Sequence, residues 1–157
     1  EMIMREVVRE DEQEFIEMMK TFYKSKAVLA GIPEIHMKRT FEAIMDKTPY
    51  ANAFILEYKG ETAGYVMVSM TWSNEAGGLV LWVEELFIKS KFRGLGLGGR
   101  AIELIRKKYL GKVKRFRLEI SKDNKNVGKL YHRKGFKPLE YMQMSYDVLS
   151  DELSKVQ

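Results

Sequence analysis

Four glycines fall within six residues, from Gly94 to Gly99, between a strand-like segment and an amphipathic segment with helical spacing. Such a density weakens both helices and turns, so it is expected where the backbone itself must reach a ligand. At a strand-to-helix junction, glycine lets backbone N–H groups approach a phosphate, and the helix dipole adds partial positive charge. The sequence therefore predicts a pyrophosphate-binding loop, with a merely tight turn as the plainer interpretation.

The glycine spacing alone does not decide the class of protein. It satisfies G-x-G-x-x-G, and Glu119 lies about twenty residues beyond Gly99, which allows a Rossmann dinucleotide site. Against that class, residues 89–93 separate the loop from the preceding strand, and little chain follows the loop to complete such a sheet. A Walker A loop is excluded because no Lys-Ser or Lys-Thr follows the glycines.

The apolar pattern along the chain gives an order of elements. Alternation predicts strands at residues 2–8, 51–58, 62–71, 79–88 and 113–120, and a closing β segment at 137–148. Helical spacing predicts helices around 15–22 and 41–45, from the glycine loop to Gly111, and at 124–134. This order predicts an α/β fold with one mixed sheet, antiparallel in its N-terminal half and parallel in a β-α-β C-terminal half, flanked by helices. We expect a single domain over residues 1–157.

The residue types present narrow the chemistry. The chain has no cysteine, which excludes disulfides, a thiolate nucleophile and sulfur-ligated metals. Its two histidines, His36 and His132, are far apart, so we expect no metal site. No apolar run is long enough for a membrane span or a signal peptide, so a soluble, cytoplasmic protein without membrane contact is expected.

Positive charge is concentrated in one part of the chain. The net charge is +5, and seven basic residues crowd together: Arg106, Lys107, Lys108, Lys112, Lys114, Arg115 and Arg117. Such a cluster is either a solvated surface or an attraction for a polyanion, which could be a phosphate-rich cofactor or a nucleic acid. We expect no nucleic-acid partner, because RNA binding needs interleaved aromatic residues and Tyr109 and Phe116 are too few.

Two sequence blocks resemble the GNAT family of N-acetyltransferases. Residues 93–98 resemble its [Q/R]-x-x-G-x-[G/A] signature, and residues 124–136 resemble its N-x-x-A-x-x-L-Y-x-x-x-G-F block, with Val127 in place of alanine. The resemblance extends over nearly the whole chain except residues 24–50. It implies acetyl-CoA as cofactor, with the pyrophosphate held by the loop amides and pantothenate amides paired with a bulged strand at 79–88 that diverges from the strand at 113–120. The cofactor-binding residues that it implies are Leu86, Phe87, Ile88, Arg93, Gly94, Leu95, Gly96, Leu97, Gly98, Gly99, Asn124 and Tyr131.

Acetylation of an amine needs a base, because an alkylamine with a pKa near 10.4 is neutral in fewer than about one molecule in a thousand at pH 7. Glu84 and Glu85 stand in an otherwise apolar strand. Since adjacent strand residues face opposite sides, we expect one of them to face the reaction site. The plainer interpretation is a pair of edge-strand charges. This strand also resembles the L-E-D-F-F run of spermidine/spermine acetyltransferases, which implies Glu84 as the base, with Glu85 as the alternative.

The leaving thiolate needs a proton, and the resemblance places Tyr131 at the family's general-acid position. Its plainer interpretation is a packing tyrosine. The backbone N–H of Phe87 is a candidate to polarise the acetyl carbonyl. Asn124 is interpreted as a helix cap that also touches the cofactor.

The acceptor side is expected to include Trp72, Glu75, Tyr50 and Glu84, since aromatic rings and carboxylates suit a cationic amine. The sequence thus predicts an N-acetyltransferase that moves an acetyl group to a primary amine by direct attack in a ternary complex. The acceptor is expected to be a small cationic amine or an amino-acid-like compound. The alternatives are a protein N-terminal or lysine acetyltransferase and a non-catalytic CoA-binding regulator, and a homodimer is left open.

Overall fold

A computed structural model describes residues 1–148 and contains a five-stranded sheet whose strands lie in chain order. The first four strands pair antiparallel, and the last two pair parallel around a helical crossover. This is the mixed sheet that the sequence predicts. The strands are β1 (Met2–Glu6), β2 (Ala51–Tyr58), β3 (Glu61–Ser73), β4 (Gly78–Ile88) and β5 (Arg115–Leu118).

Helices cover both faces of this sheet. On one face, α1 (Glu12–Phe22) and α2 (Glu34–Met45) bury an apolar cluster that includes Phe15, Phe41 and Tyr65. On the other face, α3 (Leu97–Tyr109) and α4 (Lys125–Arg133) cover a second cluster that includes Leu81, Ile102 and Tyr131. We call these the α1/α2 face and the α3/α4 face. No helix within residues 1–148 has the length and apolar character needed to cross a membrane.

Strand β3 shows how one sequence serves both cores. Tyr65 and Met67 pack into the cluster on the α1/α2 face, whereas Val66 and Val68 pack into the cluster on the α3/α4 face. Successive side chains of a strand point to opposite faces, so a strand covered on both sides becomes a continuous apolar run. The alternation along β3 then fixes which face each later residue of the strand occupies.

The predicted closing strand at residues 137–148 is wrong, because that segment forms no strand in the structure. Alternating apolar residues make a strand only where a neighbour supplies a backbone ladder, and no strand within residues 1–148 pairs with this segment. It approaches the sheet through side chains instead. The Tyr141 hydroxyl donates to Glu75 at 2.5 Å, and the Gln143 amide donates to Glu119. The prediction of one domain over 1–157 also includes residues 149–157, which lie outside the described residues.

Strand β4 carries a bulge and then leaves β5. Val83 pairs with Val68 and Glu85 pairs with Met67, so Glu84 is an extra residue without a partner on β3. The parallel pairing with β5 ends at the same place, since its last pair joins Val83 to Leu118. The bulge and the divergence implied by the family resemblance are therefore present, and they open the sheet beside the glutamate pair.

Candidate active site

The bulge turns both glutamates toward the α1/α2 face. Glu84 accepts a hydrogen bond from the Ser69 hydroxyl at 2.6 Å, and Glu85 accepts one from the Tyr65 hydroxyl at 2.7 Å. Ser69 and Tyr65 are four residues apart on β3 and therefore share a face. The expectation that the two carboxylates face opposite sides is thus wrong, because the extra residue of the bulge interrupts the alternation.

Glu85 is the buried member of the pair. Only 8% of its surface is exposed, and its carboxylate accepts hydrogen bonds from Tyr23, at the end of α1, and from Tyr65. Burial raises the pKa of the Glu85 carboxyl; the two tyrosine hydrogen bonds oppose this shift, and the nearby charge of Glu84 adds to it. The net direction is upward, so the site favours the protonated form more than water does.

Glu84 is the exposed member of the pair. One of its oxygens is engaged by Ser69, which orients the carboxylate, and the other oxygen has no protein partner within residues 1–148. Because Val83 and Leu118 form the last parallel pair, Glu84 and Glu119 begin the two sides of the opening between β4 and β5. Glu84 therefore offers an accessible, oriented carboxylate at the mouth of that opening.

The glycine loop has the geometry of an anion cradle. Gly94 and Gly96 adopt left-handed φ angles of 80° and 77°, and the space where a Cβ would stand is open at both. Gly96 is the N-cap of α3, and no side chain caps this helix end. The first amides of a helix have no internal partner, so those of Leu97, Gly98 and Gly99 are available to an external anion. This fits a pyrophosphate.

The strand edge beside the loop is open as well. Beyond Val83, β4 has β3 on one side and no strand partner on the other within the described part of the chain, so the segment that contains Leu86, Phe87 and Ile88 can pair with amide groups of a ligand. The Arg93 Nε–H donates to the Ile88 carbonyl at 3.0 Å. Arg93 thereby ties the start of the glycine loop to the end of β4.

Tyr131 lies on α4 with its ring buried on the α3/α4 face, where it packs edge-on against Phe136 at 5.9 Å between ring centres. Among residues 1–148 its hydroxyl has no hydrogen-bond partner, and no buried polar side-chain atom is left unpaired, so the hydroxyl reaches solvent. Burial raises the pKa of Tyr131, which keeps its proton in place at neutral pH. A buried ring with an accessible hydroxyl is the arrangement that a proton donor needs.

Asn124 occupies the N-cap position of α4, but its side chain makes no capping hydrogen bond. The interpretation of Asn124 as a side-chain cap is therefore wrong. Its backbone φ and ψ of −111° and 51° lie outside the extended region that a capping residue typically adopts. Contact with the cofactor stays a prediction.

The model of the acetyltransferase (GNAT) family matches residues 12–136, which is most of the chain and includes the bulge, the glycine loop and α4. The chain belongs to the GNAT acetyltransferase family. Acetyl-CoA is accordingly the acetyl donor, and the open amides of the glycine loop suit its pyrophosphate. A search among curated proteins finds no match.

Solved structures share the GNAT fold at low sequence identity. A possible acetyltransferase from Clostridium difficile 630 superposes with a TM-score of 0.78 at 16% identity, covering 94% of this chain and 98% of its own. The aminoglycoside N-acetyltransferase AAC(6')-Iy in complex with CoA has a TM-score of 0.75 at 17% identity, with coverage of 94% and 95%. Glucosamine-6-phosphate N-acetyltransferase from Arabidopsis thaliana has a TM-score of 0.68 at 20% identity, with coverage of 93% and 98%. At these identities the likeness shows the fold alone.

The other predicted acceptor residues of this GNAT protein do not gather around Glu84. Trp72 is 74% exposed. By alternation along β3 it lies on the α3/α4 face, whereas Ser69 lies on the other face of the sheet. Glu75 lies in the turn after β3 and pairs with Arg115 at 2.7 Å. The side chain of Tyr50 is exposed just before β2. Their contact with an acceptor stays a prediction that this placement does not favour.

The structure brings other side chains to the glutamate pair. Tyr23 and Ser69 bind Glu85 and Glu84, and Trp82 shares their face because it pairs with Ser69. On Trp82 lies the guanidinium of Arg117, at 4.2 Å from the ring centre. The sequence signal for these residues was weak. The alternation of β3 and the parallel register of β4 with β5 place Ser69, Trp82 and Arg117, and the packing of α1 on the sheet places Tyr23.

Proposed function

We propose that this GNAT acetyltransferase moves the acetyl group of acetyl-CoA to a primary amine of a small molecule, by direct attack within a ternary complex. The observation that carries the proposal is the exposed Glu84 carboxylate, oriented by Ser69 on the β-bulge where β4 leaves β5. This carboxylate stands at the mouth of the opening between β4 and β5, and the glycine loop begins a few residues beyond the end of β4. A base at that position meets an incoming amine.

Glu84 acts as the base. A primary ammonium is almost entirely protonated at neutral pH, so the carboxylate must accept its proton, directly or through one water. Glu85 is poorly placed for that task, because it is buried and both its oxygens already accept tyrosine hydrogen bonds. Its role is to hold Tyr23 and Tyr65 together beneath the site.

Tyr131 supplies the proton at the other end of the reaction. Acetyl-CoA provides the acetyl thioester, and CoA leaves as a thiolate. The pKa of a thiol is near 8.5, below that of a phenol, so proton transfer from tyrosine to the thiolate is feasible though uphill. The Tyr131 ring is fixed by Phe136, and its hydroxyl is open. A backbone N–H on the open side of β4, with Phe87 as the candidate, would donate to the acetyl carbonyl.

The test is release of free thiol from acetyl-CoA across a panel of primary amines, including diamines, amino acids, amino sugars and peptides with free N-termini or lysines. The proposal expects turnover with at least one small amine at a kcat/KM well above that of the peptides. Turnover confined to peptides would make the protein a protein acetyltransferase. Tight acetyl-CoA binding without turnover of any amine would make it a non-catalytic CoA-binding regulator.

A further inference from the structure

Arg117 on β5 stands on the α1/α2 face, beside the opening between β4 and β5. It is the parallel partner of Trp82, and its guanidinium carbon lies 4.2 Å from the centre of the indole ring. Stacking of this kind holds a guanidinium in place while leaving its N–H groups free at the rim of the plane. Trp82 in turn lies on the same face as Glu84.

The charge of Arg117 acts on the nearby carboxylate of Glu75, which is itself paired with Arg115. Arg117 also lines a cavity of about 820 Å³ between β5 and residues 136–143, which Tyr131 lines as well but Glu84 and Trp82 do not. The basic neighbours Arg115 and Lys134 are each paired with a glutamate. Within residues 1–148, Arg117 has no carboxylate at ion-pair distance. An oriented cation thus faces a space that it shares with the proton-donor candidate.

The distance along the strand between Arg117 and Glu84 limits the size of an acceptor that could reach both residues. Trp82 precedes Glu84 by two residues, and the second is the bulge, so Arg117 lies within roughly 7 Å of the proposed base along the strand. A small acceptor whose amine reaches Glu84 can extend a second group that far. A second ammonium of the acceptor at that distance would be repelled by the positive charge of Arg117. The ring face of Trp82, which could otherwise attract an ammonium, is already covered by the Arg117 guanidinium.

We propose that Arg117, held on Trp82, binds an acidic group of the acceptor, so that the preferred acceptors are primary amines that also carry a carboxylate or a phosphate. A planar guanidinium binds either group through two parallel hydrogen bonds. This inference rests on the proposed function, since it assumes that the amine reacts at Glu84. It narrows the acceptor to amino acids or amino-sugar phosphates and disfavours polyamines.

The test compares acceptors that differ only in the acidic group: lysine with cadaverine, ornithine with putrescine, and glucosamine 6-phosphate with glucosamine. For the wild type we expect kcat/KM to favour the acidic member of at least one pair by about 10-fold or more. Arg117→Met should reduce that ratio by about 10-fold or more. Arg39→Met, which removes the same charge from an exposed position of α2, should preserve the ratio.

A preference in the amino-acid pairs identifies a carboxylate, and a preference in the sugar pair identifies a phosphate. Equal use of both members of every pair by the wild type, or an unchanged ratio in Arg117→Met, overturns the inference. The same pairs are titrated by calorimetry against CoA-saturated protein. Loss of turnover with every amine would then refute the proposed function, while the binding ratios and their response to Arg117→Met still decide the inference.

Discussion

At the scale of single residues, two adjacent glutamates of one strand differ in every property that matters for catalysis. Glu84 is exposed and oriented by one serine, whereas Glu85 is buried beneath two tyrosines. In the sequence the two residues look equivalent, because they are adjacent glutamates in one apolar strand segment. The distinction comes from one extra residue in β4, which turns both carboxylates to one face and buries only the second.

The raised pKa of Glu85 predicts an unusual pH dependence of stability. A carboxyl whose pKa is higher in the folded than in the unfolded protein contributes to the free energy of unfolding at low pH. That contribution is lost as the pH rises above about 4.5 and through the pKa of the folded protein. Glu85→Gln cannot ionise, so its free energy of unfolding should fall less than that of the wild type between about pH 5 and 8. Urea titrations at several pH values measure this difference. Parallel pH curves for the two proteins would show that Glu85 ionises freely when buried.

Tyr131→Phe removes a hydroxyl that has no protein partner within residues 1–148 and keeps the ring against Phe136. We therefore expect a stability change within about 0.5 kcal/mol. If the hydroxyl donates the proton, turnover falls by about 10- to 10³-fold with acetyl-CoA binding preserved, and the defect is smaller for an activated acetyl thioester. Steady-state rates with both donors measure this. Undiminished turnover would reduce Tyr131 to a packing residue, and equal losses on both donors would reduce it to a positioning role.

At the scale of elements, the loops before and after α3 each contain a glycine, and the two glycines form a matched pair of sites for substitution. Gly96 and Gly111 flank the helix, both with left-handed φ, and a Cβ at either would meet nothing within 4 Å. Gly96→Glu and Gly111→Glu therefore impose similar backbone strain, about 1–2 kcal/mol. Only the first places a carboxylate in the anion cradle. Calorimetric titration should show acetyl-CoA binding abolished in Gly96→Glu and retained in Gly111→Glu; equal binding by both would mean that the pyrophosphate lies elsewhere.

The elements also show what sequence patterns can and cannot predict. The glycine loop and the bulged strand were predictable, because left-handed backbone favours glycine and the family blocks fix their order. The closing strand at 137–148 was not, because alternation reports apolar spacing and not whether a ladder partner exists. The prediction of a cap at Asn124 failed for a similar reason. An asparagine side chain can accept a hydrogen bond from the helix N–H groups, but that of Asn124 does not.

At the scale of the whole molecule, a sheet covered on both faces separates the two tasks of the enzyme. The proposed acid lies with α4 on one face, and the proposed base lies with α1 and α2 on the other, so the proposed reaction needs the opening between β4 and β5 to connect them. The fold and the position of the glycine loop before α3 followed from the sequence. The acceptor side did not, because Tyr23, Ser69 and Arg117 come from three separate parts of the chain, and their contacts with Glu85, Glu84 and Trp82 arise only in the folded protein.

The central claim is that Glu84 takes the proton of the acceptor amine, and the most direct test is the pH dependence of kcat/KM in Glu84→Gln. We expect a loss of about 10²-fold or more near pH 7, nearly unchanged acetyl-CoA affinity, and partial recovery toward about pH 9, where more of the amine is already neutral. Glu85→Gln and Glu119→Gln serve as matched controls on either side of the same opening. Wild-type rates in Glu84→Gln between about pH 6 and 9, beside a crippled Glu85→Gln or Glu119→Gln, would contradict the account and move the base to that residue.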